Sequence, residues 1–207
     1  GSEMCIRDSA QTIQLAKHAD GAVLALDNHQ PYLDALCRRA QTEGVSGKIK
    51  PWLQDMRTLE LAEGAFDLVW SEGALYCMGF IDGLAACRRW LAPHGCLAVT
   101  ELCWLKPEPP SECREFFAAE YPPMTGIDAN LSAIADCAYT PLGCFTLPES
   151  AWWIQYYAPL EKRLEALRRK HAVDAARLAI IETIHKEIDI YRKYSEYYGY
   201  VFYLMRR

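Results

Sequence analysis

The chain has 207 residues, 51% of them apolar and 24% charged, and 22 Lys and Arg against 27 Asp and Glu leave a net charge of −5. That length supports one domain with a real core, or one carrying a small lid, and leaves little room for two full domains. The acidic balance without a basic stripe argues against nucleic-acid binding by bulk electrostatics, and no apolar run approaches the roughly 20 residues that cross a bilayer.

Helix and strand patterns alternate through the first hundred residues. AQTIQLAKHA at 10–19 has helical spacing at Ile13, Leu15, Ala16 and Ala19, and Asp20-Gly21 stops it. AVLALD at 22–27 is a short apolar run ending on an acid, which predicts a strand buried on both faces. Pro31 opens a second helix, PYLDALCRRAQTEG, with Gly44 as its stop. IKPWL at 49–53 predicts a weak strand, and Pro51 places it at an edge or an irregular position. FDLVWS at 66–71 is a strong strand, followed by SEGALY and by a helix over 82–92 with Asp82 as N-cap. Pro93-His94-Gly95 turns the chain into a further strand at 96–102. This alternation predicts an α/β, doubly wound, mostly parallel sheet.

The character changes after Trp104. A proline-rich loop precedes helical patterns at 111–120 and 127–138, a strand at 141–147, and the aromatic segment ESAWWIQYYAPL. A charged helix follows, then a long amphipathic helix over 174–197 and a closing strand, GYVFYLM, at 199–205. A single domain over 10–207 with a helical and aromatic lid insertion at about 105–173 is the economical division.

In an open parallel sheet, ligands bind beyond the carboxyl ends of the strands. The polar residues predicted there are Asp27, Asp55-Met56, Ser71-Glu72 and Glu101. A carboxylate after the strand that follows the first helix can accept from both hydroxyls of a ribose. Asp27 can equally be a turn or N-cap residue, because Asn28 and Pro31 follow it. Nine cysteines, irregularly spaced and without a CxxC pair, predict neither a disulfide framework nor a zinc site but a reducing, cytoplasmic setting. The apolar neighbours of Cys96, Cys103 and Cys144 predict small buried fillers.

The strings VLALD, LQDMRTLEL, FDLVWSEGALYCMGF and RRWLAPHGCLAVTE, in that order, resemble the class I S-adenosylmethionine-dependent methyltransferases, in particular their type 11, ubiquinone-biosynthesis-like small-molecule branch. The resemblance implies a Rossmann-like sheet with an antiparallel last strand, S-adenosylmethionine as cofactor and a small-molecule methyl acceptor. By position it implies that Asp27, with Asn28 beside it, holds the cofactor ribose and that Asp55 accepts from the adenine amine. Met56 would flank the ring, Ser71 and Glu72 would lie by the methionine moiety, and Gln11 and Thr12 by its carboxylate. Asp55 as a turn residue and Glu72 as a structural carboxylate are the plainer alternatives.

One departure stands out. The family's first strand and glycine-rich loop belong just before Gln11, yet this chain reads GSEMCIRDSAQT, with no glycine between Ser2 and Asp20. The expectation is that residues 1–9 are a non-native leader, resembling technical read-through sequence, that the first strand is missing, and that cofactor binding is impaired. Candidate general bases are Glu72, Tyr76 and Glu101. Tyr76, Trp104, Trp153 and Tyr157 are candidates for the acceptor pocket, with core packing as the alternative. No histidine spacing suggests a metal. No nucleic acid or membrane partner is expected, and a homodimer stays open. Two other readings stay open as well: an NAD(P)-dependent oxidoreductase on a Rossmann sheet, since Asp27 could hold a nicotinamide ribose, and a non-catalytic, degenerate methyltransferase-like domain.

Overall fold

The computed structural model describes residues 2–4 and 10–207. In chain order the first elements are β1 (Ser2–Met4), α1 (Ala10–His18), β2 (Val23–Asp27), α2 (Gln30–Thr42), β3 (Ile49–Leu53) and β4 (Phe66–Ser71). They are followed by α3 (Phe80–Trp90), β5 (Leu91–Trp104), α4 (Ser111–Glu120), β6 (Thr125–Gly126), α5 (Ile127–Asp136) and β7 (Thr140–Thr146). The chain then forms α6 (Glu149–Trp152), a π-helical turn at Trp153–Tyr157, α7 (Ala158–Lys170), α8 (Ala175–Tyr194) and β8 (Tyr198–Arg206).

The sheet runs β3-β2-β1-β4-β5-β8-β7, with β6 pairing to the end of β5. Strands β1 to β5 pair in parallel. β8 runs antiparallel to β5: Arg207 N–H donates to the Gly95 carbonyl and Leu105 N–H to the Tyr197 carbonyl, so low numbers on one strand meet high numbers on the other. This is the Rossmann-like methyltransferase arrangement expected from the sequence. β3 is an edge strand, which leaves Pro51 a side where no ladder donor is needed.

The missing first strand is a correction. Ser2–Met4 fills the central slot, Ser2 opposite Leu24 and Val69, Met4 opposite Leu26 and Ser71. Two flanking strands offer rows of unpaired backbone groups, and a segment needs no apolar sequence to satisfy them. Residues 5–9, where the glycine-rich loop is expected, lie outside the described residues.

Two smaller expectations also change. The helix after SEGALY begins at Phe80 with Gly79 (φ 80°) as its N-cap, so Asp82 sits inside the first turn and is not the N-cap. Pro93-His94-Gly95 is a bulge within β5 and not a turn ahead of it: Phe66 pairs with Leu91 but Leu68 with Cys96. The extra residues are taken up at His94, whose φ is 67°.

The chain divides into two units, the first comprising 1–101, 128–145 and 201–207, the second 102–127 and 146–200. α5 and β7, inside the expected 105–173 insertion, therefore belong to the first unit, and α8 to the second. In the first unit Ile13 and Ala16 of α1 and Leu33, Leu36 and Ala40 of α2 bury against Val23, Ala25 and Ile49 of the strands. The second unit has its own core, in which Phe116, Phe117, Tyr157, Leu164, Ile188, Tyr191 and Tyr198 are buried. Cys103 is buried as expected and Cys96 is half-buried. Cys144 corrects the sequence reading: it is exposed, because every residue of β7 is exposed at the sheet edge.

Candidate functional site

The carboxyl ends of β2 and β3 and the turn after β4 enclose a cleft of about 330 Å³. Its lining includes Asp27, Asn28, Asp55, Met56, Arg57 and Tyr76. Five residues expected around the cofactor or acceptor thus meet in one place, and the volume falls within the roughly 300–1,000 Å³ of small-molecule sites.

Each wall has a local cause. β2 ends at Asp27, 5% exposed, whose Oδ1 accepts the His29 N–H at 2.8 Å. The carboxylate thus closes the turn into α2 and faces the cleft, so the turn role and a ligand role coexist. Gln54 N–H donates to the Asp27 carbonyl at 3.0 Å and ties the segment after β3 to the tip of β2. Asp55 caps a single 3₁₀ turn at Met56–Thr58, accepting from the Arg57 N–H at 2.9 Å. The Arg57 guanidinium pairs with the same carboxylate at 2.6 Å. These hydrogen bonds hold the Asp55 pKa down at about 2. After β4 the chain bends through Gly73, at φ 56°, whose N–H is held by the Thr100 hydroxyl at 2.7 Å. That bend delivers Ala74, Tyr76 and Cys77 to the cleft. Tyr76 is 51% exposed there.

Glu72 stands on the same bend. The Trp70 indole N–H donates to its Oε1 at 2.7 Å and the Gln11 amide to its Oε2 at 3.3 Å. Gln11, expected near the cofactor's carboxylate end, therefore orients Glu72. Ser71 and Thr12 are buried, and the Ser71 hydroxyl has no hydrogen-bond partner among the described residues. Glu101 is buried within β5.

The aromatic candidates beyond Tyr76 are in the second unit. Trp104 packs edge-on against Phe117, with centroids 5.6 Å apart. Trp153 lies under the Arg192 guanidinium at 5.0 Å, its indole N–H donating to Glu149. Tyr157 corrects the expectation of a pocket wall: it is 1% exposed, its hydroxyl donates to Glu187 at 3.0 Å, and its ring meets Trp152, Tyr156 and Tyr191. A ring enclosed on both faces is core packing. Arg57 and Cys77 are cleft residues that the sequence reading passed over. The signal for Arg57 was a cation two places after the acid. Among the described residues no cluster of His, Cys, Asp or Glu is arranged to hold a metal, and no helix is long and apolar enough to cross a membrane.

A parallel sheet with a nucleoside-sized cleft between acids at successive strand tips, closed by an antiparallel last strand, is the fold of the class I methyltransferases. Residues 4–95 match the family described as Methyltransferase domain. A methyltransferase from Geobacter sulfurreducens, solved with S-adenosylhomocysteine, superposes with a TM-score of 0.83 at 15% identity, over 100% of this chain and 84% of its own. A geranyl diphosphate C-methyltransferase from Streptomyces coelicolor gives 0.67 at 15% identity, over 100% and 70%. The cyclase SpnF gives 0.73 at 17% identity, over 100% and 73%. No curated protein sequence matches the chain.

Proposed function

We propose that this chain binds S-adenosylmethionine with its adenosine half in the Asp27–Asp55 cleft and transfers the methyl group to a small-molecule acceptor. The observation that carries the reading is the convergence of Asp27 and Asp55 on one cleft that the apolar Leu26, Met56 and Ala74 also line. The donor set fits an adenosine: carboxylates accept from hydroxyls and an amine, and a thioether covers a flat ring. Asp27 would take the ribose hydroxyls, Met56 would flank the base and Asp55 would face its amine.

When bound, S-adenosylmethionine supplies an activated methyl group on a sulfonium. The chain's own work is to orient the acceptor in line and exclude water. Glu72, fixed by Trp70 and Gln11 on the bend after β4, is the proposed base where the acceptor must lose a proton. Tyr76 is the proposed acceptor contact because it shares the cleft and is open to solvent. Glu101, enclosed in β5, is the weaker base candidate. A small acceptor is supported by the absence of a basic stripe and by the geranyl diphosphate substrate named for one structural neighbour.

We extend the proposal to affinity. No glycine occurs between β1 and α1, so the close backbone approach that glycines allow around the amino-acid end is lost, and adenosine contacts dominate binding. Calorimetric titration with S-adenosylhomocysteine, adenosine and NADH tests the reading. It expects the first two to bind with similar affinity and NADH, which carries an adenosine of its own, to bind no more tightly than adenosine; clearly tighter NADH binding would replace it with the oxidoreductase reading.

A further inference from the structure

The acid proposed to meet the adenine amine is already engaged by a neighbour. Asp55 Oδ1 accepts from the Arg57 backbone N–H at 2.9 Å and from its Nε at 3.0 Å. Oδ2 accepts from the same Nε at 3.1 Å and from a terminal guanidinium nitrogen at 2.6 Å. An ionised carboxylate offers about four lone-pair directions, and three N–H groups of one residue two positions along the chain, with the Nε–H shared between the two oxygens, take up most of them. The Arg57 side chain is 63% exposed and that of Asp55 30%. The guanidinium can therefore leave the carboxylate for water without burying a charge. Arg57 lines the same cleft as Asp27, Met56 and Tyr76.

We propose that Arg57 is a latch on Asp55, closed in the free protein and displaced when the nucleobase arrives, so that guanidinium and exocyclic amine compete for one carboxylate. This rests on the adenosine reading of the cleft and adds a residue that sets its affinity. The competition has a distinctive sign. Removing the guanidinium frees a lone pair on each oxygen while the Arg57 backbone N–H still holds Oδ1, so Asp55 keeps its place in the turn. Salt screens an exposed ion pair, so an uncharged nucleoside should bind better as ionic strength rises.

Calorimetric titration of the wild-type chain, Arg57→Ala and Arg57→Lys with adenosine, at low and high sodium chloride, tests this. Arg57→Ala should bind adenosine about two- to five-fold more tightly, the range an exposed ion pair allows. Arg57→Lys, which cannot form the two-pronged pair, should fall between. Wild-type affinity should rise with salt and that of Arg57→Ala should not. Equal or weaker binding by Arg57→Ala, or a wild-type affinity indifferent to salt, overturns the latch while leaving the site in place. Absence of adenosine binding in all three proteins is a different result, and removes the adenosine reading together with the latch.

Discussion

Asp27→Asn separates the two tasks that the cleft assigns to one carboxylate. The wild-type side chain is 5% exposed and spends Oδ1 on the His29 N–H at 2.8 Å. Asparagine keeps a carbonyl oxygen for that bond, so the turn into α2 survives and the stability cost stays below about 1 kcal/mol. The charge and the second acceptor oxygen are lost, and with them the ability to accept from both ribose hydroxyls. Hydrogen bonds to a charged group are worth about 1.5–3 kcal/mol, so affinity for S-adenosylhomocysteine should fall by about ten- to a hundred-fold. Isothermal titration calorimetry measures the affinity, and a denaturant midpoint on the same sample measures the stability. Binding within two-fold of wild type would refute the reasoning. So would a loss of binding matched by a large loss of stability, since Asp27 would then be a turn residue alone.

Three further outcomes follow from the geometry. Arg57 holds the Asp55 pKa at about 2, below the 3.8 of an unpaired aspartate. The ionised pair therefore stabilises the fold above pH about 4 and loses that effect as pH falls through about 2. The difference in melting temperature between wild type and Arg57→Ala should close over that window, and a constant difference would contradict it. Gly83→Ala would put a Cβ 2.6 Å from Leu75 Cγ, and Leu75 is fully buried. The overlap should outweigh the roughly 1 kcal/mol gain in helix propensity and lower stability by about 1–2 kcal/mol, read by chemical denaturation; a stabilised variant would contradict the packing. Cys77 and Cys144 are exposed while Cys87, Cys103 and Cys113 are buried, so a thiol reagent should label the first two before the others. Adenosine should protect Cys77 and leave Cys144 unaffected, as mass spectrometry of labelled peptides would show.

What could be read in the sequence was whatever depends on local pattern. FDLVWS is apolar between turn-forming segments and is β4 as expected; VLALD ends its strand on the acid that lines the cleft. Properties decided by distant chain were not legible. Ser2–Met4 pairs with a strand on either side, yet its sequence has no apolar run that would signal a strand. Cys144 has the neighbours of a buried filler and is exposed because β7 has a free edge. Tyr157 is close in sequence to Trp153, yet burial beside Tyr191 and Glu187 makes it core. Asp55 was recognisable as an acid after a strand, but its engagement by Arg57 depends on a turn geometry that composition does not encode.

A crystal structure of the chain soaked with S-adenosylhomocysteine bears most directly on the central claim. The account predicts the ribose hydroxyls within hydrogen-bonding distance of the Asp27 carboxylate, the adenine against Met56 with its amine toward Asp55, and the Arg57 guanidinium turned away. A nucleoside bound outside this cleft, or one inside it with Asp27 making no contact to the sugar, would contradict it.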